Sequence, residues 1–159
     1  MSNFLKIQID SWPHFFQVTN SLGEVGSALP YWSFRGQSNS EWDLSTSLSR
    51  ILSEKEVTDP ESAVRLEMTS TRYFWSNCGH YPEFQGLNPD KKGLIFSWTL
   101  MQHYGAPTRL LDWTDSPLVA LYYAVENLSK DDGAIFIIDN RALETASEKL
   151  NGKSDHNSF

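Results

Sequence analysis

Two periodicities alternate along the chain. From Phe4 to Ile9 the period is two, with Leu5, Ile7 and Ile9 set against Phe4, Lys6 and Gln8, which predicts a short half-buried strand. Asp10 or Ser11 can cap a following helix with Pro13 in its first turn. Phe15, Phe16, Val18 and Leu22 give that helix an apolar side, and Gly23 and Gly26 end it. Tyr31 to Gln37 reads as an aromatic strand, and Ser38 to Arg50 as a polar, Ser-rich connection. Asp59-Pro60, with Glu61 behind, opens a helix that runs to about Ser76.

Gly79 to Asp90, rich in Pro and Gly, reads as a loop. Gly93 to Tyr104 then has helical spacing and stops at Gly105. Thr108 to Trp113 is short and extended. Thr114 or Ser116 caps a further helix, Leu118 to Leu128, with Pro117 placed early. Asp131-Asp132-Gly133 turns the chain into a strand, Ala134 to Ile138, followed by helical spacing over Glu144 to Leu150. The fold class is therefore mixed α/β (α+β), with a small sheet flanked by helices. One domain covers residues 1–150, and 151–159 form a polar tail. Three or four strands are few for this length, so further chain or a partner is expected to complete the sheet.

Composition agrees with a globular domain: 40% hydrophobic residues, 21% charged, and six Trp. The net charge of −7 counts against broad nucleic-acid binding, because Lys91-Lys92 is a basic pair and not a patch. One or two arginines can still hold a small phosphate. Cys78 is alone, which points to a buried thiol in a reducing compartment. No stretch is long and apolar enough to span a membrane, and a cytoplasmic location is expected.

The chemistry concentrates in two places. His103 to Thr114 holds an imidazole, a phenol, a guanidinium, a carboxylate, an indole and hydroxyls within twelve positions. Phe34-Arg35-Gly36-Gln37 lies far upstream at the end of an aromatic run. Arg35 can pair with a buried carboxylate such as Asp112, or grip a phosphate bidentately where Gly36 lets a ligand approach the backbone. His103 either satisfies the last carbonyls of its helix or serves as a donor or acid–base group. Arg109 and Asp112 would meet only if the chain turns near Leu111. Tyr122 and Tyr123 either pack or present one ring to a ligand. Asp112 with His103, and Glu41 with Arg35, are acid–base pairs without diagnostic spacing. No nucleophile elbow, P-loop, GxGxxG or HExxH is present.

At these residues the chain resembles the FRG domain family of bacterial and phage proteins. The match runs from Phe34-Arg35-Gly36-Gln37 through Trp42, Leu44, Ser47-Leu48 and Arg50. It continues over Met101 to Thr114, then Ser116-Pro117-Leu118, Ala120-Leu121-Tyr122 and Ala124, and closes at Asp132-Gly133-Ala134. It covers roughly residues 5–140. The pattern is also distantly similar to part of the ADP-ribosyltransferase fold, in which an Arg-Gly on the first core strand meets NAD. That resemblance implies a nucleotide-type ligand with NAD as cofactor, and a role as toxin or phage-conflict effector. It implies Arg35, His103 and Asp112 as catalytic groups. It implies Phe34, Gly36, Gln37, Tyr104, Thr108, Arg109, Trp113, Thr114 and Tyr122 as ligand contacts. In one respect the chain departs from those enzymes: they carry a late glutamate on a strand, whereas Glu144 and Glu148 fall in helix-like sequence. The alternative is a non-catalytic module that binds a protein partner, its Arg, His and Asp residues forming a structural polar network.

Overall fold

In chain order the elements are α1 (Trp12–Glu24), β1 (Trp32–Gln37), α2 (Ser47–Glu54), α3 (Pro60–Cys78), α4 (Pro89–His103), α5 (Pro117–Val125), β2 (Ala134–Asp139) and α6 (Asn140–Ser154). The computed structural model describes residues 5–24, 31–87, 89–127 and 131–154. The chain divides into two units, Met1–Glu41 with Trp113–Phe159, and Trp42–Asp112. A mixed α+β class holds, although the described residues form two strands and not three or four.

In the first unit β1 and β2 pair antiparallel, with Phe34 opposite Ile137, Arg35 opposite Phe136 and Gly36 opposite Ile135. The other edge of β1 is met by a single bridge. The Phe34 N–H donates to the Thr114 carbonyl at 2.7 Å, and the Thr114 N–H donates back at 2.8 Å. Phe34 is wholly buried. Ser116, two residues beyond the bridge, caps α5 by accepting from the Val119 N–H at 3.4 Å, while Thr114 Oγ1 accepts from the Ser116 N–H at 3.1 Å. The cap therefore belongs to Ser116. Beyond β1, the Ser40 N–H donates to the Asp132 carbonyl at 2.6 Å and Asn127 donates to Ser38 Oγ at 3.1 Å, which pins the strand exit beside the turn into β2.

Helix α5 crosses β1 at very short range because neither element has a side chain in the way. A Cβ on Gly36 would overlap the Ala120 carbonyl oxygen and sit 2.8 Å from the Ala124 nitrogen. A Cβ on Gly133 would overlap the Ala124 carbonyl oxygen. Ala120 and Ala124, one turn apart, are buried at this seam. The missing side chain at Gly36 thus admits the backbone of a helix.

In the second unit Thr46 caps α2 and Asp59 caps α3, each accepting from the N–H three residues on. The Ser62 N–H holds the Asp59 carboxyl below its usual range. Indole donors tie α3 to α4: Trp75 Nε1 reaches Ser97 Oγ at 3.0 Å and Trp98 Nε1 reaches Thr71 Oγ1 at 3.3 Å. Both hydroxyl residues are buried, as are Cys78, Phe84 and Met101. The bond between segment 106–110 and α2 is made by Thr108, whose carbonyl accepts from the Leu48 N–H at 3.1 Å and from Ser47 Oγ at 3.2 Å.

Several expectations are corrected. Residues 5–9 form no strand and are exposed, because an alternating run of this length needs a partner edge and a core face, and finds neither; Phe4 lies outside the described residues. The connection 38–50 contains the start of α2, whose Thr46 cap sits inside the Ser-rich stretch. The 79–90 loop contains one tight turn, Pro82–Phe84, and the onset of α4. The expected helix from Gly93 to its stop at Gly105 holds: Gly93, at φ 82° and ψ 172°, breaks α4 internally, so its continuous part begins there, and Gly105 at φ 79° ends it. Thr108 to Trp113 joins no ladder; pairing starts at Thr114. Helix α6 begins directly after β2 and takes residues 151–154 from the expected tail, the rest of which lies outside the described residues, as do Gly26 and Leu128.

The seam predicts opposite outcomes at two glycines. Gly36→Ala forces backbone apart and should cost about 3 kcal/mol or more, read from the urea midpoint. Gly23→Ala, inside α1 with nothing within 4 Å of the new methyl, should be neutral or stabilising by up to about 1 kcal/mol.

Candidate functional site

The sequence-selected residues divide between the two units. Phe34, Arg35, Gly36, Gln37, Trp113, Thr114 and Tyr122 belong to the first, and His103, Tyr104, Thr108, Arg109 and Asp112 to the second. The unit boundary falls inside the long motif, between Asp112 and Trp113.

In the first unit, strand alternation puts Phe34 and Gly36 on the face that meets α5, and Ser33, Arg35 and Gln37 on the other. Gln37 is buried and Arg35 half-buried, its Nε enclosed. Phe136 stands directly across the ladder from Arg35, and the Asn140 amide donates to Ser33 Oγ at 3.1 Å. Glu41 is exposed at the end of this segment. Thr114 is committed to the bridge and, through Oγ1, to the Ser116 N–H. Tyr122 and Tyr123 are exposed, their rings edge-on at 5.5 Å, so neither packs into a core.

In the second unit the charged groups of the motif are held by residues outside it. Arg109 turns toward α3 and not toward Asp112: its Nε meets Glu67 Oε1 at 2.5 Å and its terminal nitrogen meets Glu67 Oε2. This two-pronged geometry suits a guanidinium and a carboxylate. The Glu67 side chain is 4% exposed and that of Arg109 49%. The guanidinium also lies 5.0 Å from the Trp98 ring centroid. Hydrogen bonding to Glu67 raises the Arg109 pKa further, against a smaller opposing effect of burial, so the group stays a cation.

Gln102 is the second organiser. Its amide nitrogen donates to Asp112 Oδ1 at 2.5 Å, and its amide oxygen accepts from the Thr108 hydroxyl. Thr108 is fully buried, and its Oγ1 also accepts from the Leu110 N–H at 3.3 Å, which shapes the turn after Pro107. Asp112 and Arg109 are thereby directed to different partners. His103 and Tyr104 are exposed at the end of α4, edge-on at 5.2 Å, and Tyr104 rests 5.1 Å from the buried Phe84.

Glu67 and Gln102 were not among the sequence candidates. A signal for Glu67 exists: with Thr71, Phe74 and Cys78 it follows helical spacing along the inward side of α3, and a carboxylate there requires a cation. No group of three or more His, Cys, Asp or Glu among the described residues is placed to hold a metal, and no described helix is long and apolar enough to cross a membrane.

The family model of the FRG domain matches residues 30–133. That is more than half of the chain, and the chain belongs to the FRG domain family. No curated protein and no solved structure matches it. The matched span includes both the β1–α5 seam and the Glu67–Arg109 pair.

Unequal burial within that pair predicts unequal costs of breaking it. Arg109→Ala strands a buried carboxylate and should destabilise by about 3–5 kcal/mol. Glu67→Ala leaves a half-exposed guanidinium that can turn to water, and should cost about 1–3 kcal/mol, including the small cavity left by the side chain. Denaturant titration of both single variants and the double variant measures the order and the coupling. Equal losses with no coupling would remove the pair from the structural account.

Proposed function

We propose that this FRG domain is a binding module for a protein partner, its signature residues serving to fix one packing arrangement. The observation that carries this reading is the commitment of Arg109 to Glu67, a pair that satisfies a buried carboxylate and leaves neither group poised for a reacting substrate. Two further facts support it. The space beside Gly36 is filled by α5, and Asp112 accepts a hydrogen bond from the Gln102 amide, which ties it to the end of α4.

A second reading rests on one observation. Arg35 stands on the sheet face away from α5, beside Gln37 and Ser33, where a guanidinium could take a phosphate. That position favours the nucleotide-type, NAD-like ligand implied by the distant ADP-ribosyltransferase resemblance, and with it a toxin or phage-conflict role.

Thermal-shift assays with NAD, ADP-ribose and ATP separate the two. On the module reading none of them raises the melting midpoint of the wild-type chain. A ligand at a hundred times its Kd adds about 2.7 kcal/mol. A rise of that kind, lost in a folded Arg35→Ala variant, would establish the ligand reading in place of the module.

A further inference from the structure

Helix α5 has two unlike faces. Its inner arc is occupied by Ala120 and Ala124, which lie against the glycines of the seam. Its outer arc carries Leu118, Tyr122, Tyr123 and Val125, each more than half exposed, with Val119 beside them. At 100° per residue these five positions span about 160° of the helix surface, a continuous apolar face and not scattered singles. Tyrosines with wet hydroxyls and apolar rings are favoured anchors of binding surfaces.

The ends of this face are acidic. Asp115 precedes the first turn and Glu126 follows the last, one turn beyond Tyr122, and both are exposed. The α5 helix between them is nine residues, about 14 Å at 1.5 Å per residue. Asp131 and Asp132, exposed in the turn whose Gly133 abuts Ala124, add to the second end. No Lys or Arg occurs from Leu110 to Asn127.

We propose that the outer face of α5 docks an amphipathic helical segment of a partner protein, apolar along one side and bearing Lys or Arg at both ends of that side. This deepens the binding-module reading and rests on it. A second copy of the chain fits poorly: antiparallel pairing of two α5 helices sets Asp115 against Glu126 twice, parallel pairing sets like against like, and the net charge of −7 adds to the repulsion. A basic-ended helix meets the same surface with attraction at both ends and aromatic contact between them.

The test uses a fluorescein-labelled synthetic helix of about 18 residues, built from Leu and Lys with one apolar side, and a counterpart built from Leu and Glu. Anisotropy at physiological salt should show binding of the Leu/Lys peptide to the full chain and none of the Leu/Glu peptide. Tyr122→Ser, a change at an exposed position that circular dichroism can verify as folded, should weaken binding at least about tenfold. Asp115→Asn with Glu126→Gln should weaken it by a similar factor. Glu144→Gln with Glu148→Gln, the same charge change on the exposed side of α6, should leave it within about twofold. Four results overturn the proposal: no binding by wild type, indifference to Tyr122→Ser, equal loss in the α6 control, or a concentration-dependent dimer that the peptide does not dissociate. Any of these without a nucleotide shift removes this surface and leaves the module reading standing. A nucleotide shift abolished by Arg35→Ala removes the module reading whatever the peptide does.

Discussion

The close approach of α5 to β1 governs the first unit. A strand and a helix normally stay apart by the thickness of their side chains; here the backbone of Ala120 and Ala124 lies where side chains at Gly36 and Gly133 would have to be. Such contact gains dispersion over many backbone atoms and tolerates no added methyl. It also explains why the strand is continued by a single bridge at Thr114, two residues ahead of the Ser116 cap: the chain must enter α5 at the strand edge to lay the helix across Gly36. Phe34, fixed between bridge and ladder, is sealed completely. The Phe and the Gly of the Phe-Arg-Gly motif are accounted for by this geometry.

The seam has a consequence on the opposite side of the helix. A helix that buries alanines must leave most of its larger apolar residues elsewhere, and in α5 all but the half-buried Leu121 stand outward. Burying Leu118 or Tyr122 inward would require the helix to withdraw from the sheet, at the loss of the contacts that define the unit. Tight packing within and an apolar surface without are therefore linked by the same helix. The second unit solves a different problem. It holds a carboxylate inside a helical layer, and Arg109 answers that charge with both prongs of its guanidinium while resting on Trp98.

Much of this was legible in the sequence where local chemistry decides the outcome. Asp59-Pro60, Ser116-Pro117 and the stop at Gly105 mark helix ends by capping and backbone preference, and the structure uses all three. Legibility failed where packing decides. The alternation at 5–9 has the form of a strand but no edge to pair with. In α3 the apolar residues Val64, Leu66, Met68 and Tyr73 are exposed while Glu67 and Thr71 are buried, so hydropathy alone selects the wrong stripe. The destination of Arg109 depended on a residue 42 positions upstream that spacing within the motif could not reveal. Gly36 was correctly singled out for close approach, but the approaching group is a helix backbone.

The long motif looks like one functional string because its polar residues are adjacent, yet adjacency misstates how they act. Up to Asp112 its side chains go to Glu67 and Gln102, while the Thr108 backbone bonds Ser47; from Trp113 onward the chain is engaged with β1 and α5. Each of these groups finds its partner within its own unit, so neighbours in sequence need not be neighbours in function. A catalytic string would instead converge its groups on one point within hydrogen-bond reach. Within the second unit, Arg109 and Asp112 diverge, to α3 and to the end of α4 respectively. That divergence ties α3 and the end of α4 to one short segment of the motif, a packing role that agrees with the binding-module reading proposed above.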